Sequence, residues 1–371
     1  MKIHCNKEDL SKGVQTIQSA LSSRTTLPIL LNFMMETESS KIKVVSTDLE
    51  MGVKHYIPAE VEADGSITIP AKKFSDILHS LPDGKEVELS VDAGDKVQLK
   101  CGRSRFSIIG APKSEYPVLP EFDRKEAFEL PMGLVMDMVK KTIFAASSDE
   151  TRHVLNGVFW SAKNGTLEMV ATDGRRLSII GRKGMAKDRE FHIIVPTKVL
   201  GELLRLLGSF DVKPDSQEKL QIGVTENQIV FQAKETTLLS RLIGGTFPNY
   251  EQVIPKKKDI SVVLDTAELL AVTKRAALCA QDRGGSVKFA LQKGSLHISA
   301  SSQNLEFNDE LAVDYTGADF QVAFNPHFMV DALKHIECDK VSLGLTSPVN
   351  PVLIEPADGA DSRFVIMPMR I

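Results

Sequence analysis

The chain has 371 residues, more than one ordinary domain of about 100 to 200 residues holds, so two or three domains are expected. Apolar residues make up 42% and charged residues 25%, a globular balance, and no apolar run reaches the roughly 18 residues needed to span a bilayer. The net charge of −4 excludes the overall basic excess usual in nucleic-acid binders, so any such role must rest on where Lys and Arg gather.

The opening MKIHCNKEDL has neither the apolar stretch nor the small-residue cleavage site of a signal peptide, which predicts a cytoplasmic protein. Leu10, Val14, Ile17 and Leu21 recur at helical spacing and predict a first helix. Residues 29–34 and 42–48 read as strands around a polar turn, and 67–70 leads as a short strand into helical spacing over 72–78. Residues 86–91, 96–101 and 104–109 alternate and predict a run of strands, closed by the Pro-rich exit 115–120. The pattern then returns about 125 residues later. Leu155-Asn156-Gly157-Val158-Phe159-Trp160 and 166–173 repeat the first strand pair, down to a shared Thr-Asp at Thr47-Asp48 and Thr172-Asp173. Residues 193–196 lead into helical spacing over 198–204, strands follow at 220–224 and 228–233, and a second Pro-rich exit spans 247–255. In a third copy Asp265 and Glu268 form a capping-box signature, and 322–326 leads into a helix over 327–334.

The fold predicted is α+β: three repeated domains at 1–123, 124–256 and 257–371, each with two helices packed on antiparallel sheets. Cys5, Cys101, Cys279 and Cys338 lie far apart with no paired spacing, so no metal site and no cofactor is expected.

Three stretches carry a family resemblance: Ala171-Thr172-Asp173-Gly174-Arg175-Arg176-Leu177, Phe247 through Pro255, and Val365-Ile366-Met367-Pro368-Met369-Arg370-Ile371. With Thr26-Leu27-Pro28-Ile29-Leu30, Thr47 through Met51, and Gly102 through Ser107, they resemble, in order and along the whole chain, the bacterial DNA sliding clamp, the beta subunit of DNA polymerase III. The resemblance implies a non-enzymatic processivity factor, a ring closed as a head-to-tail homodimer around duplex DNA. It also implies a peptide-binding pocket walled by Leu155, Thr172, Gly174, Arg175, Arg176, Leu177, Pro248, Val253, Val365 and Met367, extended by Arg152, Val154 and Met369. Arg175 stands where the family often has His. The partners implied are double-stranded DNA, the polymerase III catalytic subunit, an ATP-driven clamp loader, and other clamp-binding-motif proteins such as translesion polymerases, ligase and mismatch-repair proteins, with no membrane.

Sequence-blind sliding calls for many weak phosphate contacts. Candidates are Arg24, Lys72, Lys73, Lys140, Lys141, Lys198, Arg205, Lys274 and Arg275, with Lys12 and Lys334; taken singly, each also fits a solvated helix face. For the seam between copies the resemblance points to Arg103, Arg105, Phe106 and Ile108 on one edge strand, meeting Leu278, Cys279, Glu306 and Glu310. Two rival readings stay open at this point. One is a DNA-acting enzyme with Asp173 as metal ligand or base, which the matching Asp48 argues against; the other is a repeat scaffold without nucleic acid.

Overall fold

The structure, a computed structural model, describes residues 1–21, 26–121, 127–186, 189–213, 216, 218–280, 285–359 and 361–370. The chain packs as two compact units, one of Met1–Val135 with Lys198–Leu242, the other of Met136–Thr197 with Ile243–Ile371. The middle repeat is therefore shared between them, because strands from neighbouring repeats pair edge to edge.

In the first unit an eight-stranded sheet runs in the order Phe128–Pro131, Lys219–Val224, Gln228–Ala233, Thr236–Arg241, Met51–Pro58, Lys41–Thr47, Asn32–Glu38, Ser66–Pro70. The repeats join where Thr236–Arg241 pairs with Met51–Pro58. A five-stranded sheet beside it ends on Ser104–Ile109. The second unit repeats the scheme. Its eight strands run Phe191–Pro196, Gly157–Lys163, Gly165–Thr172, Arg176–Ala186, Ser362–Ile366, Val352–Pro356, Lys340–Leu345, Ile260–Asp265, joined where Arg176–Ala186 meets Ser362–Ile366. A four-stranded sheet ends on Glu306–Ala312. All strand pairs among the described residues are antiparallel, and the two-residue periodicity sends alternate side chains inward, as with Val97, Leu99 and Cys101.

Six longer helices are described: α1 Lys7–Ile17, α2 Ala71–Ser80, α3 Met132–Ile143, α4 Thr197–Ser209, α5 Thr266–Ala277 and α6 Pro326–Leu333. The side chain of Asn6 caps α1, accepting from Glu8 N at 2.8 Å, and Asp265 caps α5, accepting from Glu268 N at 3.0 Å. Gly13 is needed where α1 crosses the strand Met51–Pro58, since a Cβ there would lie 2.2 Å from Ile57 Cδ1. Each unit buries its own apolar core; Phe33, Phe74 and Phe231 fill the first, and Trp160, Phe324 and Phe364 the second.

Three expected elements have other bounds. Leu21 lies beyond the first helix, which stops at Ile17 and tightens into a 3-10 turn at Gln18–Ala20; Leu21 itself is extended. Residues 29–31 are likewise no strand: Pro28 fixes the first φ of a 3-10 turn, Pro28–Leu31, and pairing begins only at Asn32. Leu155 sits in the matching 3-10 turn His153–Leu155, ahead of the strand at Gly157.

Candidate functional site: an apolar groove with an arginine rim

The candidate groove lies within the second unit, where strand alternation gathers an apolar cluster. At the start of the strand Arg176–Ala186, Leu177 faces one side of the sheet while Arg176 and Ser178 face the other. Leu177 joins Leu155, Val170, Ile179, Ile194, Phe247, Leu353 and Val365 in one apolar cluster, with Val154, Phe159, Ile243, Tyr250 and Ile254 packed against it. Leu155, Leu177 and Val365 form a buried floor, whereas Val253 and Met367 are 45% and 40% exposed. Pro248, Gly174 and Arg175 are exposed, and Val154, Thr172 and Met369 are half-buried. Phe247 stacks on Phe159 with centroids 5.1 Å apart and shapes the wall that carries Pro248. The Tyr250 hydroxyl donates to Glu168 Oε1, and burial together with that carboxylate pushes the phenol well above its ordinary pKa.

The C-terminal segment extends the sheet along the groove. Met367 N donates to Arg175 O at 2.9 Å, and Met369 N donates to Ala323 O at 2.8 Å, so the tail is pinned at two points. The rim is set by the turn over residues 172–176. Thr172 Oγ1 accepts from Gly174 N at 3.0 Å and donates to Arg176 O at 2.6 Å; Asp173 Oδ1 accepts from Arg175 N at 2.9 Å and Arg176 N at 3.0 Å. Gly174 has φ +85°, which glycine adopts without strain. Thr47 and Asp48 make the same turn, accepting from Leu49 N at 3.0 Å and from Met51 N at 2.7 Å. Asp173 is thus a turn residue: its second oxygen accepts from Arg176 Nε at 3.1 Å.

Several expected site residues take other positions. Arg176 does not wall the groove with its guanidinium. That group turns to the opposite face, donating to Asp331 Oδ2 and Phe144 O, both at 2.6 Å, with its Cζ 4.7 Å from the Phe328 ring centroid. Lys141 is not on an exposed helix face either; it is 8% exposed and pairs with Asp137 at 2.6 Å and Glu337 at 3.0 Å. Ile108 turns into its own core at 7% exposed, and the apolar side chain this edge leaves in solvent is Ile109, 78% exposed. Cys279 is buried beside the exposed Leu278. Arg24 lies outside the described residues.

Lys12, Lys72, Lys73, Lys140, Lys198, Arg205, Lys274, Arg275 and Lys334 are all exposed, on helices or, for Lys334, directly after one. Three of these are tied down: Lys198 to Asp48, Arg205 to Glu202 at 2.5 Å, and Arg275 to Asp309 at 2.6 Å. Elsewhere in the second unit a concavity of about 580 Å³ has a mixed lining, with Glu168, Lys183, Lys258, Glu355, Asp361 and Arg363 beside Val263, Pro356 and Ala357. The sequence reading missed Val170, Ile179, Ile194 and Leu353 as groove floor, although all are strand residues on the same face as the residues it found.

Three α+β repeats whose sheets join edge to edge, with an apolar cluster at one such junction, form the architecture of a sliding clamp. Profiles of the DNA polymerase III beta subunit match in sequence order: the N-terminal domain at residues 1–120, the central domain at 129–249 and the C-terminal domain at 251–370. The chain is 32% identical to the beta sliding clamp of Proteus mirabilis over 373 residues and 31% to that of Bacillus subtilis over 383, covering all of each protein. The crystal structure of the DNA polymerase sliding clamp from Bacillus subtilis superposes with a TM-score of 0.94 at 30% identity, over 100% of this chain and 99% of that one. A DnaN sliding clamp from Pseudomonas aeruginosa bound to griselimycin gives 0.92 at 30% identity, over the whole of both chains. The chain belongs to the DNA polymerase III beta-subunit family, the bacterial beta sliding clamps. It is a non-catalytic processivity factor that acts on DNA and tethers polymerase. No described helix is long and apolar enough to cross a membrane.

Proposed function

We propose that two copies of this chain close head to tail into a ring that encircles duplex DNA, with domain boundaries near residues 123 and 256. The observation that carries this reading is a pair of open sheet edges of opposite charge. Ser104–Ile109, flanked by Arg103 and bearing Arg105, ends the five-stranded sheet, and Glu306–Ala312, bearing Glu306 and Glu310, ends the four-stranded one. An unpaired edge is a template for another strand, and complementary charge selects which strand docks. Leu278, 58% exposed, and Ile109, 78% exposed, add apolar contact, and Phe106 is half-buried on the face of its strand opposite Ile109.

The exposed helix lysines and arginines, with Arg24, steer the phosphate backbone without reading bases, as sliding demands. The groove in the second unit takes Leu- and Phe-anchored peptides of the polymerase III catalytic subunit, the ATP-driven loader, translesion polymerases, ligase and mismatch-repair proteins, in the cytoplasm. Support comes from its form: a preformed apolar floor with a semi-exposed methionine, which adapts to different anchors. Sedimentation tests the ring. The protein sediments as a dimer, and Leu278→Asp as a soluble monomer; an unchanged dimer in that variant contradicts the seam.

A further inference from the structure

Resting on comparison with the groove read above, we infer that the first unit holds a second apolar-anchor site, the counterpart of that groove, and that the chain's own Leu119 keeps it closed. The internal repeat supplies the comparison. Met34, Val45 and Tyr116 form an apolar cluster in the first unit, with Ile29 and Leu119 packed against it. These five stand where the second unit has Phe159, Val170, Phe247, Val154 and Tyr250, all part of the groove cluster or packed against it. Strand pairing fixes the correspondence. Val45 lies opposite Met34 and Lys54 as Val170 lies opposite Phe159 and Ile179, and Gly52 lies opposite Leu239 as Leu177 lies opposite Val365.

Two replacements separate the sites. Gly52 takes the place of the floor residue Leu177, which leaves a hole in the first unit, and Leu119 fills it: a Cβ built on Gly52 would lie 2.8 Å from Leu119 Cδ1 and 3.0 Å from Leu119 Cδ2. At the place of Leu119 the second unit has Tyr250, whose hydroxyl donates to Glu168, so that side chain is tied to a strand at the edge of the cluster. The first unit has Lys43 at the place of Glu168, paired with Glu36 at 2.6 Å, and a leucine has no group to offer it. The segment meets its cluster as a bound peptide would. Tyr116 is buried and its hydroxyl donates to Asn32 O at 3.2 Å, Val118 is 93% exposed, and Leu119 turns back inward. Pro117 and Pro120 restrict the backbone on both sides of this anchor. A few apolar anchors supply most of the energy of peptide docking, and here one of them comes from within the chain.

Calorimetry with a synthetic peptide bearing Leu and Phe anchors counts the sites on the full-length protein. The unaltered protein binds one peptide per chain. Leu119→Ala binds two, the second more weakly because Lys54 and Thr68 stand where the groove has Ile179 and Ile194. Adding Gly52→Leu refills the hole and returns the count to one. Two peptides on each unaltered chain, or one on Leu119→Ala, overturn the inference while the groove stands. Binding by Leu119→Ala alone supports the inference and overturns the groove reading; binding by neither overturns both. Melting tests the plug without a ligand: Leu119→Ala melts lower than the unaltered protein, and adding Gly52→Ala raises the midpoint again, because the new methyl enters the vacated space. Losses that simply add overturn the plug, even where Leu119→Ala is too unstable for calorimetry.

Discussion

Arg176 fastens the rim turn to the helical face, and its removal yields a stability loss that can be worked out from its contacts. The side chain is 14% exposed and donates to Asp331, 34% exposed, and to Phe144 O, both at 2.6 Å, while its Nε holds Asp173 at 3.1 Å. A hydrogen bond to a charged group is worth about 1.5–3 kcal/mol, and cation–π contact with Phe328 adds about 0.5–1 kcal/mol. These do not simply add, because Asp331 can partly rehydrate when the arginine is gone. We therefore expect Arg176→Ala to cost about 3 kcal/mol, which lowers the melting temperature of a body this size by roughly 6 to 12 °C. Arg176→Met should cost less, since methionine keeps apolar contact with the Phe144 and Phe328 rings and Met51 already serves at the matching turn, 2% exposed. Calorimetric melting at one fixed protein concentration is the assay, because ring association would otherwise shift the midpoint. A drop of under about 2 °C in the alanine variant would refute the reasoning, as would additive losses in a double-mutant cycle with Asp331→Ala.

Ending the chain at Ile366 removes both pinning bonds and the methionine rim, so peptide affinity measured by calorimetry should fall at least about tenfold while sedimentation still reports a dimer, because the groove's apolar anchors carry most of the energy; near-normal affinity would mean the groove is misplaced. His55, whose Nδ1 lies 2.8 Å from Thr236 Oγ1, has its pKa lowered by burial, with Glu235 opposing and Lys12 assisting. The folded state thus resists protonation that the unfolded chain accepts, so this group's contribution is intact above the ordinary histidine pKa of about 6.5 and is lost as pH falls through the lower folded value. His55→Gln should accordingly lose less thermal stability than the unaltered protein between about pH 7.5 and pH 5; parallel losses would contradict the assignment.

Much of this was legible because periodicity and punctuation agree. Alternation marked the strands, and Asp265 with Glu268 marked the cap of α5. The turn at Thr172-Asp173 was readable as structure from its twin at Thr47-Asp48, and the hydrogen bonds of both bear this out. What stayed hidden depends on pairing and sidedness. The run Ile29-Leu30-Leu31 has no alternation, so nothing in it reveals a 3-10 turn that buries Leu30 and leaves Leu31 49% exposed. Phasing across the strand Ser104–Ile109 decides whether Ile108 or Ile109 faces out, and a one-residue slip exchanges them. Arg176 is a groove wall by resemblance, but strand alternation carries its side chain to the opposite face. Lys141 looks like its exposed neighbour Lys140 until Asp137 and Glu337 close on it. The edge-to-edge joining of sheets, which divides the middle repeat between two units, leaves no mark in local pattern at all.

On the ring proposed above, this protein holds DNA by topology. Charge-held proteins leave DNA as salt rises, since each phosphate contact traded for counterions lowers log affinity in proportion to log salt. A closed ring does not depend on those contacts, even when the Debye length has shrunk to about 3 Å at 1 M salt. The direct measurement is the lifetime of loaded protein on a nicked circle at high salt, before and after the circle is linearised. Long retention on the circle and prompt release on cutting are the predicted result; equally fast loss from circular and linear DNA would contradict encirclement.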